Sequence, residues 1–136
     1  MRVRWLKDSE VIAGATTHLK GAKLSVQKWF TFGHCSKKTL IARENDGMDC
    51  GLCVFHKNLF YGGSDCDGCI LRQHTGYECN DRDAGKYTGK DLYAQAINLL
   101  YSFYYHPTQT GFIKFQKKAR KLWRVLVKCV EILEKK

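Results

Sequence analysis

Residues 112–134 read FIKFQKKARKLWRVLVKCVEILE, and their periodicity decides the fold class. Phe112, Phe115, Ala119, Leu122, Leu126, Cys129 and Leu133 recur by alternating steps of three and four. An α-helix turns once in about 3.6 residues, so these steps keep the side chains on one face. Lys114, Lys117, Lys121, Arg124 and Lys128 follow the same alternation on another face. The stretch therefore predicts an amphipathic basic helix whose apolar stripe must be buried against a partner.

The nearest partner lies just upstream. From about Gly89 to His106 the chain is apolar nearly all round, through Leu92, Tyr93, Ala96, Ile97, Leu99, Leu100, Phe103 and Tyr104. A helix of that kind is expected at the buried centre of a domain. Thr88 with Asp91 resembles a capping box at its start, and Pro107 ends it. Gln109-Thr110-Gly111 reads as a short turn into the last helix. A further helix is predicted from near Glu10, capped by Asp8 or Ser9, to Phe32, with Leu19, Ala22, Val26, Trp29 and Phe30 on one face. Gly14 and Gly21 weaken it by about 1 kcal/mol each, and Gly33 offers a stop. The first eight residues form a short basic lead, read as a strand.

The middle of the chain is different. Residues 34–49 are polar and close on the turn signal Asn45-Asp46-Gly47. Residues 50–89 hold seven glycines and five of the seven cysteines. Such a stretch cannot bury a core of its own, and a metal ion is the economical way to hold it. Cys50-Gly-Leu-Cys53 and Cys66-Asp-Gly-Cys69 are two CxxC pairs separated by twelve residues. Tetrahedral zinc takes four thiolate or imidazole ligands, and two CxxC turns supply four thiolates. A closed shell of sulfur leaves no position for substrate, so Zn²⁺ bound by Cys50, Cys53, Cys66 and Cys69 is expected to be structural. Cys79 is either a substitute ligand or a buried thiol beside the site. His56, His74 and the His34-Cys35 pair are lesser candidates. Cys129, on the apolar stripe, is expected in the core. The cluster spacings of ferredoxins are absent, which favours zinc over iron–sulfur.

The segment Cys50-Gly-Leu-Cys53 … Cys66-Asp-Gly-Cys69-Ile … Gly76-Tyr-Glu-Cys79 resembles a pattern in small phage and bacterial cysteine-rich proteins. Those proteins carry a CxLC pair, a CxxC followed by proline, a glycine-containing stretch and a fifth cysteine. The resemblance covers somewhat under half of the chain. Ile70 stands in the place of the proline, and the loop from His56 to Asp65 is particular to this sequence. The resemblance implies a phage or prokaryotic cytoplasmic setting and a metal-stabilised knuckle, with no activity attached.

Charge supplies the remaining expectation. There are 23 Lys+Arg against 13 Asp+Glu, a net charge of +10. Seven cations fall between Lys114 and Lys128, with no acid from 112 to 130. Lys114, Lys117, Lys118, Lys121, Arg124 and Lys128 are thus candidate anion-binding residues. They suit nucleic acid, through phosphate contacts and counterion release, or an acidic protein partner. The same charges also suit the solvated face of a packed helix. Trp123 and Phe115 interleave with them but fit the apolar side better.

Several classes are disfavoured. The N-terminus is charged at once and lacks the apolar run of a signal peptide, and the uncharged stretch Leu92–Ile113 is interrupted by Gln95, Asn98, His106 and Gln109. A cytoplasmic protein without a membrane span is expected. HExxH, the P-loop, GxSxG and the deaminase HxE are absent, so no enzyme is predicted. The acids Asp65, Asp67, Glu78, Asp81 and Asp83 leave a metal-dependent nuclease as a distant alternative.

Taken together, the sequence predicts one mainly α domain over 1–136. It comprises an N-terminal helical region (1–34), an irregular metal-held cysteine module (50–79) with room for a short hairpin, and two C-terminal helices (88–134). The expected function is that of a small zinc-stabilised binding protein, phage-encoded, that contacts nucleic acid or a nucleic-acid-processing complex through its basic C-terminal helix. The alternative is a protein-interaction inhibitor of a host or defence enzyme.

Overall fold

The computed structural model describes residues 1–44, 51–52 and 92–136. Among these residues the protein is mainly helical and has no strand. In chain order the helices are α1 (Asp8–Gly14), α2 (His18–His34), α3 (Lys37–Ala42), α4 (Leu92–Tyr105) and α5 (Gln109–Glu134). The predicted cap at Thr88 and any hairpin within 50–79 lie outside the described residues.

The central place expected of residues 89–106 belongs instead to α2 and α5, which share the largest interface. On α5, Phe115, Ala119, Leu122 and Cys129 are wholly buried, as the three-and-four alternation requires. They meet Ala22, Val26, Trp29 and Phe32 of α2. Trp29 and Phe32 pack edge to face at 5.1 Å, and Phe32 meets Phe115 in the same way at 5.8 Å. Such aromatic pairs contribute about 0.5–1.5 kcal/mol beyond their area. Helix α4 lies against α5 and buries Ala94, Ala96, Leu100 and Phe103. Leu92, Tyr93, Ile97, Leu99 and Tyr104 are partly buried against the same core, and only towards its C-terminal end do Tyr101 and Tyr105 stand exposed. An all-round apolar sequence was therefore a poor guide to all-round burial, because tyrosine tolerates water at its hydroxyl end.

The single N-terminal helix expected from Glu10 to Phe32 is two helices. The chain breaks at Ala15–Thr17, between Gly14 and a new cap at Thr17, whose hydroxyl accepts from the Lys20 N–H at 3.1 Å. A competing cap decides where a helix restarts, and Thr17 provides it. Gly33 does not stop α2. It lies within the last turn because the α5 backbone passes close by: a Cβ there would approach Arg120 Cγ at 2.8 Å. Helix α3 was not expected within polar residues 34–49. It is started by Ser36, whose hydroxyl accepts from the Thr39 N–H, and anchored by fully buried Leu40. Likewise Gln109-Thr110-Gly111 is no turn but the opening of α5, capped by Thr108 through the Gly111 N–H at 3.0 Å.

The first seven residues run extended along α2. The Arg4 N–H donates to the Thr31 hydroxyl, which donates back to the Arg4 carbonyl at 2.8 Å. Gln27 Nε2 donates to the carbonyls of Arg2 and Arg4. Helix side chains thus satisfy the backbone of this strap, which has no sheet to join. Leu6 is buried, and Trp5 lies edge-on to Phe32 at 5.0 Å.

Candidate functional site

The site begins with the division of labour around α5. Its apolar phase is taken up by the core, which leaves the opposite phase to water. Lys114, Lys117, Lys121, Arg124 and Lys128 are all exposed there. At about 100° per residue, these five fall within an arc of about 80° and form a stripe along the helix. No Asp or Glu occurs from residue 92 to residue 130. Among the described residues, none of the five is in ion-pair contact with a carboxylate; the ion pair between Arg4 and Glu10 lies at the other end of the chain. Five cations at such spacing repel one another, a condition that an anionic ligand relieves.

Between α4 and α5 the stripe borders a groove of about 360 Å³, lined by Leu99, Lys114, Lys117, Lys118 and Lys121. Lys118 is half-buried, and its Nζ donates to Gln95 Oε1 of α4 at 2.9 Å. This bond fixes one ammonium at the groove wall. The other lysines keep their donors available. Lys118 therefore joins the groove while Arg124 and Lys128 extend the stripe beyond it.

Two polar residues of α5 serve a different end. Gln116 Nε2 donates to the carbonyls of Phe32 at 3.1 Å and Cys35 at 2.7 Å. Arg120 Nε donates to the carbonyl of Gly33 at 2.8 Å. The last carbonyls of a helix have no partner within it, so these side chains satisfy the C-terminus of α2. A cation is also favoured there by the helix dipole. Arg120 is thus withdrawn from the exposed stripe. The sequence carried a signal for Gln116: an amide falls four residues after Phe112 and three before Ala119, in the apolar phase. Lys28 is another buried polar residue, with its Nζ 5.6 Å from the Trp29 ring and 5.7 Å from Phe32. Lys28 lies well off the face that Leu19, Ala22, Val26, Trp29 and Phe30 define, so nothing in the sequence announced its burial.

The aromatic residues interleaved with the cations point inward. Phe115 is wholly buried. Trp123 is half-buried, edge-on to Phe30 at 5.2 Å and to His34 at 5.4 Å. Its indole Nε1 is buried and meets no acceptor among the described residues.

The expected metal ligands Cys50, Cys53, Cys66 and Cys69 lie outside the described residues. So do Cys79, His56, His74 and the acids Asp65, Asp67, Glu78, Asp81 and Asp83. The two residues inside the first CxxC pair are described. Leu52 is wholly buried and belongs to the same core as α2 and α5. Gly51 lies against the Gly21 carbonyl so closely that any Cβ would collide with it. No group of metal-ligating side chains occurs among the described residues. His34 and Cys35 diverge: His34 is exposed and stacked on Phe30 at 4.2 Å, whereas Cys35 is buried. Burial pushes the Cys35 thiol up to about 11, which keeps it protonated and a poor ligand. Cys129 is in the core, as expected from its phase.

No protein-family model matches this chain, and neither a curated protein nor a solved structure matches it.

Proposed function

We propose that the chain is a small zinc-stabilised binding protein that contacts nucleic acid through the exposed face of α5. The observation behind this reading is the stripe from Lys114 to Lys128, free of carboxylate contacts among the described residues and bordering a lysine-lined groove. An acidic protein surface would also attract it. Nucleic acid is the better fit because a duplex offers a continuous array of phosphates along the whole length of the stripe, and each contact releases a counterion. The setting we infer is the cytoplasm of a prokaryotic host, in keeping with the cysteine pattern. No described helix is long and apolar enough to cross a membrane.

The proposed metal ion belongs to Cys50, Cys53, Cys66 and Cys69. Its part is to hold the glycine-rich segment in shape. The first pair brackets Gly51 and Leu52, which are seated on α2 and in the core. Metal held there would brace the helical body beside it. Elemental analysis of the purified protein, with thiol counting before and after chelation, tests this half of the reading. One zinc per chain and four protected thiols are expected.

Binding is tested by charge reversal. Lys117→Glu, Lys121→Glu and Arg124→Glu together should abolish binding to DNA or RNA while leaving the melting temperature within about 2 °C, since all three are exposed. Unaltered binding by this variant would remove α5 from the interface. A single host protein recovered in stoichiometric complex, with no affinity for nucleic acid, would favour the inhibitor reading instead.

A further inference from the structure

Resting on that reading of α5 as a polyanion-binding element, we propose that its ligand is double-stranded nucleic acid, held by its phosphates without regard to base sequence. The first argument is length. At 1.5 Å per residue, the stripe from Lys114 to Lys128 spans about 21 Å. Over that length of axis each strand of a duplex carries about six phosphates, wound around the rod, so phosphates of both strands come within reach of the long side chains along the stripe. A stiff rod of evenly spaced cations is matched to a stiff rod of evenly spaced anions.

The second argument concerns aromatic side chains. Proteins that hold single strands stack the bases on exposed rings. On α5 the rings face the wrong way. Phe112 and Phe115 are buried, and half-buried Trp123 packs its ring against Phe30 and His34. Among the described residues the groove is lined by one leucine and four lysines, with no ring to receive a base.

The third argument concerns base reading. Base edges are read most selectively by the planar, forked donors of Arg, Asn and Gln, with lysine a less directional reader of guanine. Gln116 and Arg120 have such donors, but both are committed to carbonyls of α2. The stripe is left with four lysines and a single arginine. Lysine acts as a point charge on phosphate, which positions a duplex but does not read it. A compact polyphosphate, such as a nucleoside triphosphate, would satisfy the lysines of the groove. It would not reach Lys128, which lies about 10 Å further along the helix than Lys121.

Fluorescence anisotropy on the full chain, with its metal as purified, tests this. The ligands are a labelled mixed-sequence duplex of about 20 base pairs, a second duplex of unrelated sequence, either strand alone, and ATP as competitor. Both duplexes should bind equally, and more tightly than either strand. Five phosphate contacts predict a slope of log K against log salt of about −4.5, and hence a loss of about 500-fold between 50 and 200 mM salt. Lys128→Ala and Arg124→Ala, both outside the groove, should each reduce that slope by about one. Single strands bound as tightly as duplex would overturn the proposal while leaving the polyanion reading standing. So would ATP that displaces the duplex together with Lys128→Ala and Arg124→Ala variants that bind normally. No binding of any ligand at 50 mM salt would remove both the proposal and the reading beneath it.

Discussion

Gly51 shows how one residue can serve two neighbours. From sequence it is the flexible centre of a CxxC turn. In three dimensions it is also the point where the chain presses against the Gly21 carbonyl of α2, leaving no room for a side chain. Gly51→Val should therefore destabilise the protein by about 1–3 kcal/mol, as overpacking generally does. Thermal melting reads this as a fall of about 4 °C per kcal/mol for a chain of this size. An unchanged melting temperature would mean that the contact yields freely. Cys35 makes the complementary point about chemistry. With its thiol held near 11 by burial, it should resist alkylation at about pH 8 in the folded protein and react only on unfolding. Rapid labelling of Cys35 in the native state, located by peptide mapping, would contradict its placement.

At the scale of elements, α1 offers a test of charge. It has one turn of support at its start: Glu10 accepts from the Lys7 N–H at 3.3 Å and from Arg4 at 3.0 Å. The Lys7 backbone bond is the main cause that holds the Glu10 carboxyl below its usual value of 4.5, with the Arg4 bond second. A carboxyl lowered on folding contributes stability above its unfolded value and loses it as pH falls through the folded one. Helix α1 should thus fray on acidification below about 4.5, before α2 and α5 respond. Amide exchange of residues 8–14 followed against pH reads this, and Glu10→Gln should remove the dependence. Legibility in the sequence followed helix length. The long alternation of α5 placed nearly every buried side chain correctly, because many repeats average out local accidents. Helix α3, with six residues, has too few positions to show a phase. The break at Ala15 depends on competition between a weak helix interior and a good cap, which are close in free energy. The same reasoning separates the candidate site into parts. The exposed cations were legible because their phase opposes the apolar stripe. The withdrawal of Arg120 was not, since its acceptor at Gly33 is distant in sequence and is brought close only by packing.

For the whole molecule, the arrangement joins the cysteine-rich segment to the helices through Leu52. Its side chain sits among residues of α2, α4 and α5, one position before Cys53. If the four thiolates hold zinc as proposed, chelation should be felt well beyond them. We expect removal of the metal to lower the melting temperature of the helical signal by several degrees, because withdrawal of a buried leucine alone costs about 2–5 kcal/mol. A helical melting curve indifferent to chelator would show that the two parts are uncoupled.

The amide and guanidinium that α5 extends to the end of α2 have a mechanical corollary. Helices held only by oily side chains can roll about their axes at small cost, since one hydrophobic neighbour substitutes for another. Gln116 and Arg120 act as a key in a slot: a roll of α5 by even one residue would tear three directional bonds away from α2. The angular setting of the lysine row is thereby locked before any ligand arrives, and a ligand need not spend affinity to align it. Gln116→Leu should consequently weaken duplex binding several-fold with the salt slope unaltered, because the number of phosphate contacts stays the same while their alignment blurs.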